Sequence, residues 1–341
     1  MTKRILKQCA LSLLWLGLAL SPPLSMAQNQ IAGLRRGPHQ PLHPSTLVNS
    51  PRQTPPGSPT YTFSFVDFPQ SPDTATVGIN NNFGIVGAYG STVSQFDGGN
   101  GFLLQAGEKK GVISESFQTV NFPGEPAEQF AGSINDSGQI AGNYLDSSGT
   151  GHGYEWSSGT FTEIDVPFSG ANGTFAWGIN NSGIIVGGWS SSTVLSDGFE
   201  LNGGVYTSLA FPAATQTLAY KISNSGDIVG YYVDASNVVH GFLLSGGTYT
   251  SIDAPGSVGT YATGINDAGD IVGLYCTTSE CITDQNSAQG FLLSKGVYTT
   301  INVPESSSTV VFGINDKGVI VGSYSNCGGG SGLAHGFVAT P

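Results

Sequence analysis

A phrase centred on Ile-Asn recurs six times along the chain, and this repetition limits the fold more than any other feature of the sequence. Successive copies place their isoleucines 43 to 55 residues apart. The copies are GINNNFGIVGAY (78–89), SINDSGQIAGNY (133–144), GINNSGIIVGGW (178–189), KISNSGDIVGYY (221–232), GINDAGDIVGLY (264–275) and GINDKGVIVGSY (313–324). Repeats of about 40–50 residues that are rich in short strands are typical of β-propeller blades.

Each repeat carries two further phrases that predict strands. Gly-Phe or Gly-Tyr follows every copy, with the aromatic residue at Phe102, Tyr154, Phe199, Phe242, Phe291 and Phe337. A strand that ends in proline closes five of the units, as VNFP (120–123), IDVP (164–167), LAFP (209–212), IDAP (252–255) and INVP (301–304). Each unit therefore contains about four short strands, which is the content of one propeller blade.

The proline-ending strand does not follow the sixth copy and stands instead ahead of the first, as YTFSFVDFP at 61–69. In a closed ring this strand can complete the last blade and remove its exposed edge, whereas an open solenoid would gain nothing from the displacement. The sequence therefore predicts an all-β fold over residues 61–341: a six-bladed β-propeller of four-stranded blades. We expect 61–69 to be the outer strand of the blade whose other strands span about 309–339.

The turns and glycines of the repeat support this fold. Asn-Asp-Xaa-Gly between two apolar runs predicts a hairpin loop in which Asn or Asp starts the turn and Gly adopts a positive φ. The sequence Ile271-Val272-Gly273 predicts a buried strand. Its glycine is expected to let a neighbouring sheet approach closely.

The first 60 residues predict export and a tether. Basic residues precede an apolar run at 10–20, and small residues lead to Ala27, a pattern that predicts a signal peptide over 1–27. A membrane anchor would need about 20 apolar residues, so the run at 10–20 is too short to be one. Residues 28–60 contain seven prolines and predict a Pro-rich disordered linker. The protein is therefore expected to be secreted, into the extracellular space or the periplasm.

The charge of the repeat region excludes several kinds of partner. Charged residues make up only 10% of the chain, and all 23 acidic residues follow residue 61. A negative surface repels phosphate backbones and anionic lipids. We expect no nucleic-acid partner, no membrane insertion and a monomer, with an extracellular polymer, glycan or protein as the ligand.

Three cysteines remain after the predicted leader, and their pairing is open. Cys276 and Cys281 flank a short insertion and could close it as a disulfide in an oxidising compartment. Cys276 could instead pair with Cys327, because both follow the same type of strand in successive repeats.

The phrases GIND-x-G-x-IVG-x-Y and His-Gly-Phe, the latter at 240–242 and 335–337, resemble those of the bacterial extracellular HAF-repeat family. The resemblance covers residues 61–339. The chain departs from the motif by having Gly where the family has Ala, and Asn100, Asp197 and Gln289 replace His in the odd-numbered repeats. The resemblance implies secretion and propeller-like repeats, and it implies no reaction and no catalytic residues.

Three histidines, His152, His240 and His335, occupy equivalent positions in repeats two, four and six. Three imidazoles are a familiar metal-ligand set. However, they lie on the third strand of separate blades, and strands are about 4.8 Å apart, which keeps the rings far from one another. We therefore interpret each histidine as hydrogen-bonded to a loop backbone beside a packed aromatic ring.

Asp and Asn recur at two other positions of the repeat. One set follows the Ile-Asn pair and is interpreted as turn-forming: Asn81, Asp136, Asn181, Asn224, Asp267 and Asp316. Asp227 and Asp270 follow three residues later, and Asp267 with Asp270 is a weak candidate for a site whose oxygen ligands could hold Ca²⁺. No other cofactor is expected. A second set precedes the prolines and is interpreted as capping strand ends: Asp67, Asp165, Asp253, Asn121 and Asn302.

A less regular set of aromatic residues suggests a ligand surface. Trp177, Tyr220 and Phe312 stand two residues before the repeated isoleucine, and Asn180 and Trp189 belong to the third repeat. If this strand lines a central channel, these side chains could stack on sugar rings and bond to them near one mouth. Aromatic packing between blades is the alternative.

The sequence lacks three common catalytic or nucleotide-binding motifs. The sequence has no Gly-Xaa-Ser-Xaa-Gly, no His-Glu-Xaa-Xaa-His and no phosphate-binding loop. We therefore interpret the protein as a secreted, non-catalytic β-propeller that binds carbohydrate or protein at one rim. The alternatives are a secreted hydrolase or lyase with a divalent ion in the channel, and a purely structural surface module.

Overall fold

The computed structural model describes residues 60–90, 99–106, 115–124, 128–191, 194–279, 281, 287–325 and 334–341. The predicted signal peptide, all but the last residue of the predicted linker, and Cys327 lie outside these residues. Within them, no helix has the length and apolar character needed to cross a membrane.

Twenty-four strands form six antiparallel sheets of four strands each. Blade 1 contains β2 (Asp73–Ile79), β3 (Gly84–Gly90), β4 (Asn100–Ala106) and β5 (Glu115–Thr119). Blade 2 contains β6 (Glu128–Ile134), β7 (Ile140–Leu145), β8 (Gly151–Ser157) and β9 (Thr160–Ile164). Blade 3 contains β10 (Ala171–Ile179), β11 (Ile185–Ser191), β12 (Val194–Asn202) and β13 (Val205–Leu209).

The second half of the ring repeats this arrangement. Blade 4 contains β14 (Gln216–Ile222), β15 (Ile228–Val233), β16 (Val239–Ser245) and β17 (Thr248–Ile252). Blade 5 contains β18 (Gly259–Ile265), β19 (Ile271–Cys276), β20 (Gln289–Ser294) and β21 (Val297–Ile301). Blade 6 contains β22 (Ser308–Ile314), β23 (Ile320–Ser325), β24 (Ala334–Thr340) and the N-terminal β1 (Thr62–Val66).

The N-terminal strand closes the ring, as the displaced phrase predicts. β1 pairs antiparallel with β24, from Thr62 opposite Thr340 to Val66 opposite Gly336. The seam between blades 1 and 6 is tied further by Thr76, whose hydroxyl donates to the Gly322 carbonyl at 2.7 Å. The predicted six-bladed propeller is therefore confirmed.

Burial changes from the inner strand to the outer strand of each blade. The inner strand β18 is buried along its whole length, because both its faces pack against other strands. The outer strand β17 exposes Thr248, Thr250 and Ser251 and buries Ile252. Outer strands are therefore mostly exposed, and they form the wall of the molecule.

The glycine of the Ile-Val-Gly strand and the aromatic residue of the Gly-Phe phrase are cross-strand partners. In blade 4, Gly230 lies opposite Phe242. A Cβ atom at Gly230 would lie 1.9 Å from the Leu218 carbonyl oxygen and 2.8 Å from the Phe242 ring. The close approach that was expected from a neighbouring sheet therefore comes from the same blade, where the fully buried ring covers the glycine.

The connections place two kinds of polar residue on opposite faces of the ring. Each first strand ends, and each second strand begins, on the face that carries the six Ile-Asn turns, which we call the turn face. Each second strand ends, and each third strand begins, on the opposite face. We call it the histidine face, because His152, His240 and His335 lie at the starts of β8, β16 and β24.

Candidate functional site

The six turns have the predicted geometry. In blade 3, the Asn180 backbone N–H donates to the Ile184 carbonyl at 3.1 Å, and the Asn180 Oδ1 accepts from the backbone N–H of Ser182 at 3.0 Å. Gly183 has a φ of +74°. In the first repeat Phe83 takes this position with a φ of +60°, and the Lys317 ammonium lies 4.2 Å from the centre of its ring.

Six side chains form a closed ring of hydrogen bonds around the axis of the turn face. In each blade, the residue after the Ile-Asn pair donates its backbone N–H to the Oδ1 of the equivalent residue in the next blade. The links are Asn81 to Asp136 (2.8 Å), Asp136 to Asn181 (2.9 Å), Asn181 to Asn224 (2.8 Å), Asn224 to Asp267 (2.7 Å), Asp267 to Asp316 (2.8 Å) and Asp316 to Asn81 (2.9 Å). The ring ties every blade to its neighbours, including the two blades at the seam.

A second set of links uses the asparagines of the Ile-Asn pairs. Each donates its Nδ2 to the backbone carbonyl of the equivalent residue in the next blade: Asn80 to Asn135 (2.9 Å), Asn135 to Asn180 (3.0 Å), Asn180 to Ser223 (3.2 Å), Asn266 to Asn315 (3.2 Å) and Asn315 to Asn80 (3.1 Å). Blade 4 has a serine instead, and the Ser223 hydroxyl pairs with that of Ser225 at 2.8 Å. In the part of the chain that the structure describes, blade 4 therefore sends no such link to blade 5.

These contacts agree with the turn-forming interpretation of the Asp and Asn residues. Both carboxylate oxygens of Asp267 accept from Asn224, at 2.7 Å each. Asp270 instead faces Asn266, whose Nδ2 lies 3.3 Å away. Asp267 and Asp270 therefore have different partners, and the weak metal candidate gains no support. At Asp136, burial acts to raise the pKa, but hydrogen bonds from Asn181 and Asn81 bring it below its ordinary value.

A buried lysine lies beside this ring. Lys221 lines an open pocket on the turn face, at a position where four of the other repeats have glycine. Its Nζ donates to the carbonyl of Gly132 in blade 2 and to that of Trp177 in blade 3, the latter at 3.0 Å. Burial lowers the pKa of the ammonium to about 7. Sequence reasoning missed this residue, although its departure from the repeat marks it.

The titration of Lys221 predicts a pH-dependent stability. Its pKa in the unfolded chain is near 10.5 and in the folded chain about 7. Between these values the folded chain binds fewer protons, so stability rises with pH. We expect the free energy of unfolding of the wild type to gain on the order of 3 kcal/mol relative to Lys221→Met between pH 7 and 10. Denaturant titrations of both proteins at each pH measure this gain, and a constant difference between them would contradict it.

The three histidines of the histidine face are each paired with a carboxylate. His152 Nδ1 lies 3.0 Å from Asp165, His240 Nδ1 lies 2.7 Å from Asp253, and His335 Nδ1 lies 2.9 Å from Asp67. The side chains of the histidines are 20–33% exposed and those of the aspartates 45–52% exposed. The predicted loop-backbone partner was wrong, since the partner is the side chain that was interpreted as a strand cap.

Each imidazole also lies against an aromatic ring, as expected. The rings of Tyr144 and His152 stack with centroids 5.0 Å apart, and those of Tyr232 and His240 are also 5.0 Å apart. Phe211 stacks on the other face of Tyr232 at 3.6 Å. This packing holds the imidazoles at the surface, where they remain partly exposed.

The odd-numbered blades carry other polar groups at the histidine position. In blade 1, Asn121 Nδ2 donates to Asn100 Oδ1 at 2.6 Å. In blade 5, Gln289 Oε1 accepts from the Tyr275 hydroxyl at 3.0 Å. In blade 3, burial raises the pKa of Asp197. All six blades therefore present a polar side chain at this position, and only three present an imidazole.

The aromatic residues proposed to bind a ligand are mostly core residues. Trp177 and Tyr220 are 9% and 4% exposed, and their ring centroids are 5.2 Å apart. They belong, with Phe312 packed against them, to an apolar cluster that includes side chains from all six blades. Their rings therefore have no exposed face for a sugar, and the packing interpretation is the better one.

The other two candidates lie elsewhere. Trp189 packs on Phe168 in a separate cluster between blades 2 and 3, with ring centroids 5.5 Å apart. Asn180 is buried and lies on the turn face. The structure therefore does not bring the five proposed ligand residues together.

The short insertion of blade 5 is closed by a disulfide. Cys276 and Cys281 are bonded, with their Cα atoms 5.5 Å apart, and both are fully buried. Of the two pairings left open by the sequence, this is the one within the described residues.

Comparison with protein-family models found no match, and comparison with curated proteins found none either. Solved structures match at low sequence identity. A lectin from Aleuria aurantia, described as a six-bladed β-propeller with a novel fucose recognition mode, is 11% identical, with 75% of this chain and 88% of that chain covered and a TM-score of 0.44. TolB from Acinetobacter baumannii is 11% identical over 80% of this chain and 64% of its own, with a TM-score of 0.49. The sialidase of Trypanosoma rangeli is 6% identical over 81% of this chain and 59% of its own, with a TM-score of 0.50. At these identities the likeness concerns the propeller fold alone.

Proposed function

We propose that the protein is an extracellular binding propeller that takes up a hydroxyl-rich polymer, a carbohydrate, on the histidine face. The observation that carries the proposal is the threefold recurrence, in blades 2, 4 and 6, of a partly exposed imidazole paired with a partly exposed carboxylate. The turn face differs from it, because its carboxylates are used in links between blades.

The chemistry of the histidine–aspartate pairs suits sugar hydroxyls. A carboxylate accepts hydrogen bonds from hydroxyl groups, and the imidazole edge can donate or accept. The aromatic ring beneath each imidazole keeps it in place without loss of rotamer freedom on binding. The acidic body of the protein disfavours anionic polymers, so a neutral or cationic polysaccharide is the proposed class.

Repetition around the ring adds avidity. A polymer that contacts two or three blades at once binds the later sites at a high effective concentration, so weak single sites give strong overall binding. A repeated binding surface also explains the near identity of the blades better than catalysis does, because catalysis needs its groups in one place only.

Removal of the three imidazoles should abolish most of this avidity. We expect the triple variant His152→Ala, His240→Ala, His335→Ala to bind an immobilised polysaccharide about 100-fold more weakly, and each single variant less than about 10-fold more weakly. A glycan array identifies the polysaccharide, and biolayer interferometry on it measures the apparent affinities of the variants.

Val205 and Val297 provide the matched control. Both are more than 60% exposed on outer strands and take no part in the histidine–aspartate pairs, so Val205→Thr with Val297→Thr should leave binding unchanged. A wild type that retains no glycan, or a triple variant that binds as the wild type does, would contradict the proposal. Retention of a protein in place of a glycan would reassign the same face to a protein partner.

A further inference from the structure

Blade 2 has a glutamate, Glu163, two residues before its aspartate, where blades 4 and 6 have Ser251 and Phe65, and this difference creates a donor set. We propose that His152, Glu163 and Asp165 form a binding site for one divalent transition-metal ion of the Zn²⁺ class. The Nδ1 or Nε2 of His152 and one carboxylate oxygen each from Glu163 and Asp165 all lie within 4.8 Å of one another. The site goes beyond carbohydrate binding, since among the described residues blades 4 and 6 lack this donor set although they carry the same histidine–aspartate pair.

The geometry needs only a small adjustment to coordinate an ion. Ligand atoms at about 2.1 Å from a tetrahedral metal lie about 3.4 Å from each other. The Nδ1 of His152 is already 3.0 Å from Asp165 Oδ2. Glu163 is exposed at the end of an outer strand, so rotation of its flexible side chain brings its carboxylate to the ion.

The donor types select the class of metal. One imidazole nitrogen and two carboxylate oxygens suit Zn²⁺ and its first-row neighbours, and solvent can complete the coordination on the exposed side. Ca²⁺ prefers six to eight oxygen ligands and is disfavoured by the imidazole.

Further polar groups contact the side chains of this site. The Nε2 of His152 lies 3.7 Å from Asp146 Oδ2, on the side opposite Asp165. Asp146 is itself held by the backbone N–H groups of Ser148 and Thr150, at 2.8 Å each. When a metal takes the place of the Nδ1 proton that Asp165 accepts, the ring proton is held at Nε2, where the Asp146 carboxylate can accept it. The Tyr144 hydroxyl donates to Glu163 and orients the third ligand.

The other histidine blades supply an internal comparison. Blade 4 has the same histidine–aspartate pair and a second aspartate near Nε2: His240 Nδ1 lies 2.7 Å from Asp253, and Nε2 lies 3.7 Å from Asp234. Ser251 stands there at the place of Glu163, and its hydroxyl donates to Asp253 at 2.8 Å. In blade 6 the place is taken by Phe65. Blade 2 is therefore the histidine blade with a third ligand, and one ion per chain is expected.

The test titrates ZnCl₂ into the metal-stripped full chain, without an affinity tag, by isothermal titration calorimetry, with Co²⁺ absorption as a second readout. We expect one ion per wild-type chain. Glu163→Ser should weaken binding about 100-fold or more, and Asp146→Asn about 10-fold or more. Ser251→Glu should raise the stoichiometry to two.

Glu305→Ser is the charge-matched control and should bind as the wild type does, because Glu305 is exposed and follows β21 of blade 5, whereas the proposed site lies in blade 2. Circular dichroism of each variant shows that the fold is kept. A wild type that binds no Zn²⁺ at micromolar concentration, equal binding by Glu163→Ser, or three ions per wild-type chain would each overturn the proposal. These outcomes do not depend on glycan binding, because the titration contains no glycan.

Discussion

Replacing Gly230 with alanine should lower the free energy of unfolding by about 3 kcal/mol or more. A Cβ atom there would lie 1.9 Å from the carbonyl oxygen of Leu218, an atom of the neighbouring strand's backbone that cannot rotate away. The fully buried ring of Phe242 closes the other side. The clash could be relieved only if β14 and β15 moved apart, and the hydrogen bonds that join these strands would then be lost.

Gly198 supplies the matched control for this substitution. It is also a buried glycine in a strand, but a Cβ there would meet its nearest neighbour, Leu209 Cβ, at 3.3 Å. Gly198→Ala should therefore cost about 1 kcal/mol or less. Urea denaturation followed by tryptophan fluorescence compares the two variants. Equal destabilisation by the two substitutions would show that the close contacts of Gly230 with Leu218 and Phe242 do not determine the cost of adding a Cβ atom.

Deletion of residues 61–69 should have the largest effect on the whole molecule. The strand β1 contributes five backbone-paired residues and the buried side chain of Val66 to blade 6. Hydrogen bonds worth about 1 kcal/mol each and the burial of apolar groups sum to roughly 5 kcal/mol or more. Since single domains are stable by only about 5–15 kcal/mol, we expect the deleted chain to be largely unfolded or aggregated at 37 °C. Circular dichroism and size-exclusion chromatography measure this.

A relocation of the same strand distinguishes the loss of a strand from damage elsewhere. Thr340 is the partner of Thr62, so residues 61–69 can be placed after Pro341 through an Asn-Gly turn and still form a hairpin with β24. The relocated chain should recover most of the lost stability. A relocated chain as unstable as the deleted one would mean that the covalent path from β1 into blade 1 matters more than the pairing.

The architecture was predictable from the sequence because each repeat contains the turn and strand motifs of one blade. The Asn-Asp-Xaa-Gly turns and the Ile-Val-Gly strands specify hairpins locally, and the displaced 61–69 phrase indicates how the ring closes. The partner of the glycine was predicted less well: the sequence indicates that something lies close to Gly230, and only the strand register shows that it is Leu218 and Phe242 of the same blade.

The site was less predictable, for a physical reason. Aromatic residues serve cores and ligand sites equally well, so Trp177 could not be assigned to the core before its burial was known. The histidine–aspartate pairing, however, left a signal in the sequence: His152 and His240 each precede an aspartate by 13 residues, at Asp165 and Asp253, whereas Gln289 precedes Asn302 by the same distance. The two positions vary together, as groups in contact do.

Lys221 shows the limit of reasoning from a repeat. Its departure from glycine is visible in the sequence, but its acceptors, the carbonyls of Gly132 and Trp177, belong to two other blades. The closed ring determines which carbonyls it reaches. The two faces and the contacts of the buried lysine both depend on that closure.

The most direct test of the closed ring is a cross-link between its two ends. Paired residues of antiparallel strands have Cα atoms about 4.5–5.5 Å apart, which is within the range of a disulfide. Thr62 and Thr340 are such a pair and both are exposed. In a Cys327→Ser background, Thr62→Cys with Thr340→Cys should oxidise nearly completely, as measured by mass spectrometry of the linked peptides. Thr62→Cys with Thr248→Cys, which lies in blade 4, should remain reduced. Free thiols in the first variant would contradict the closed propeller.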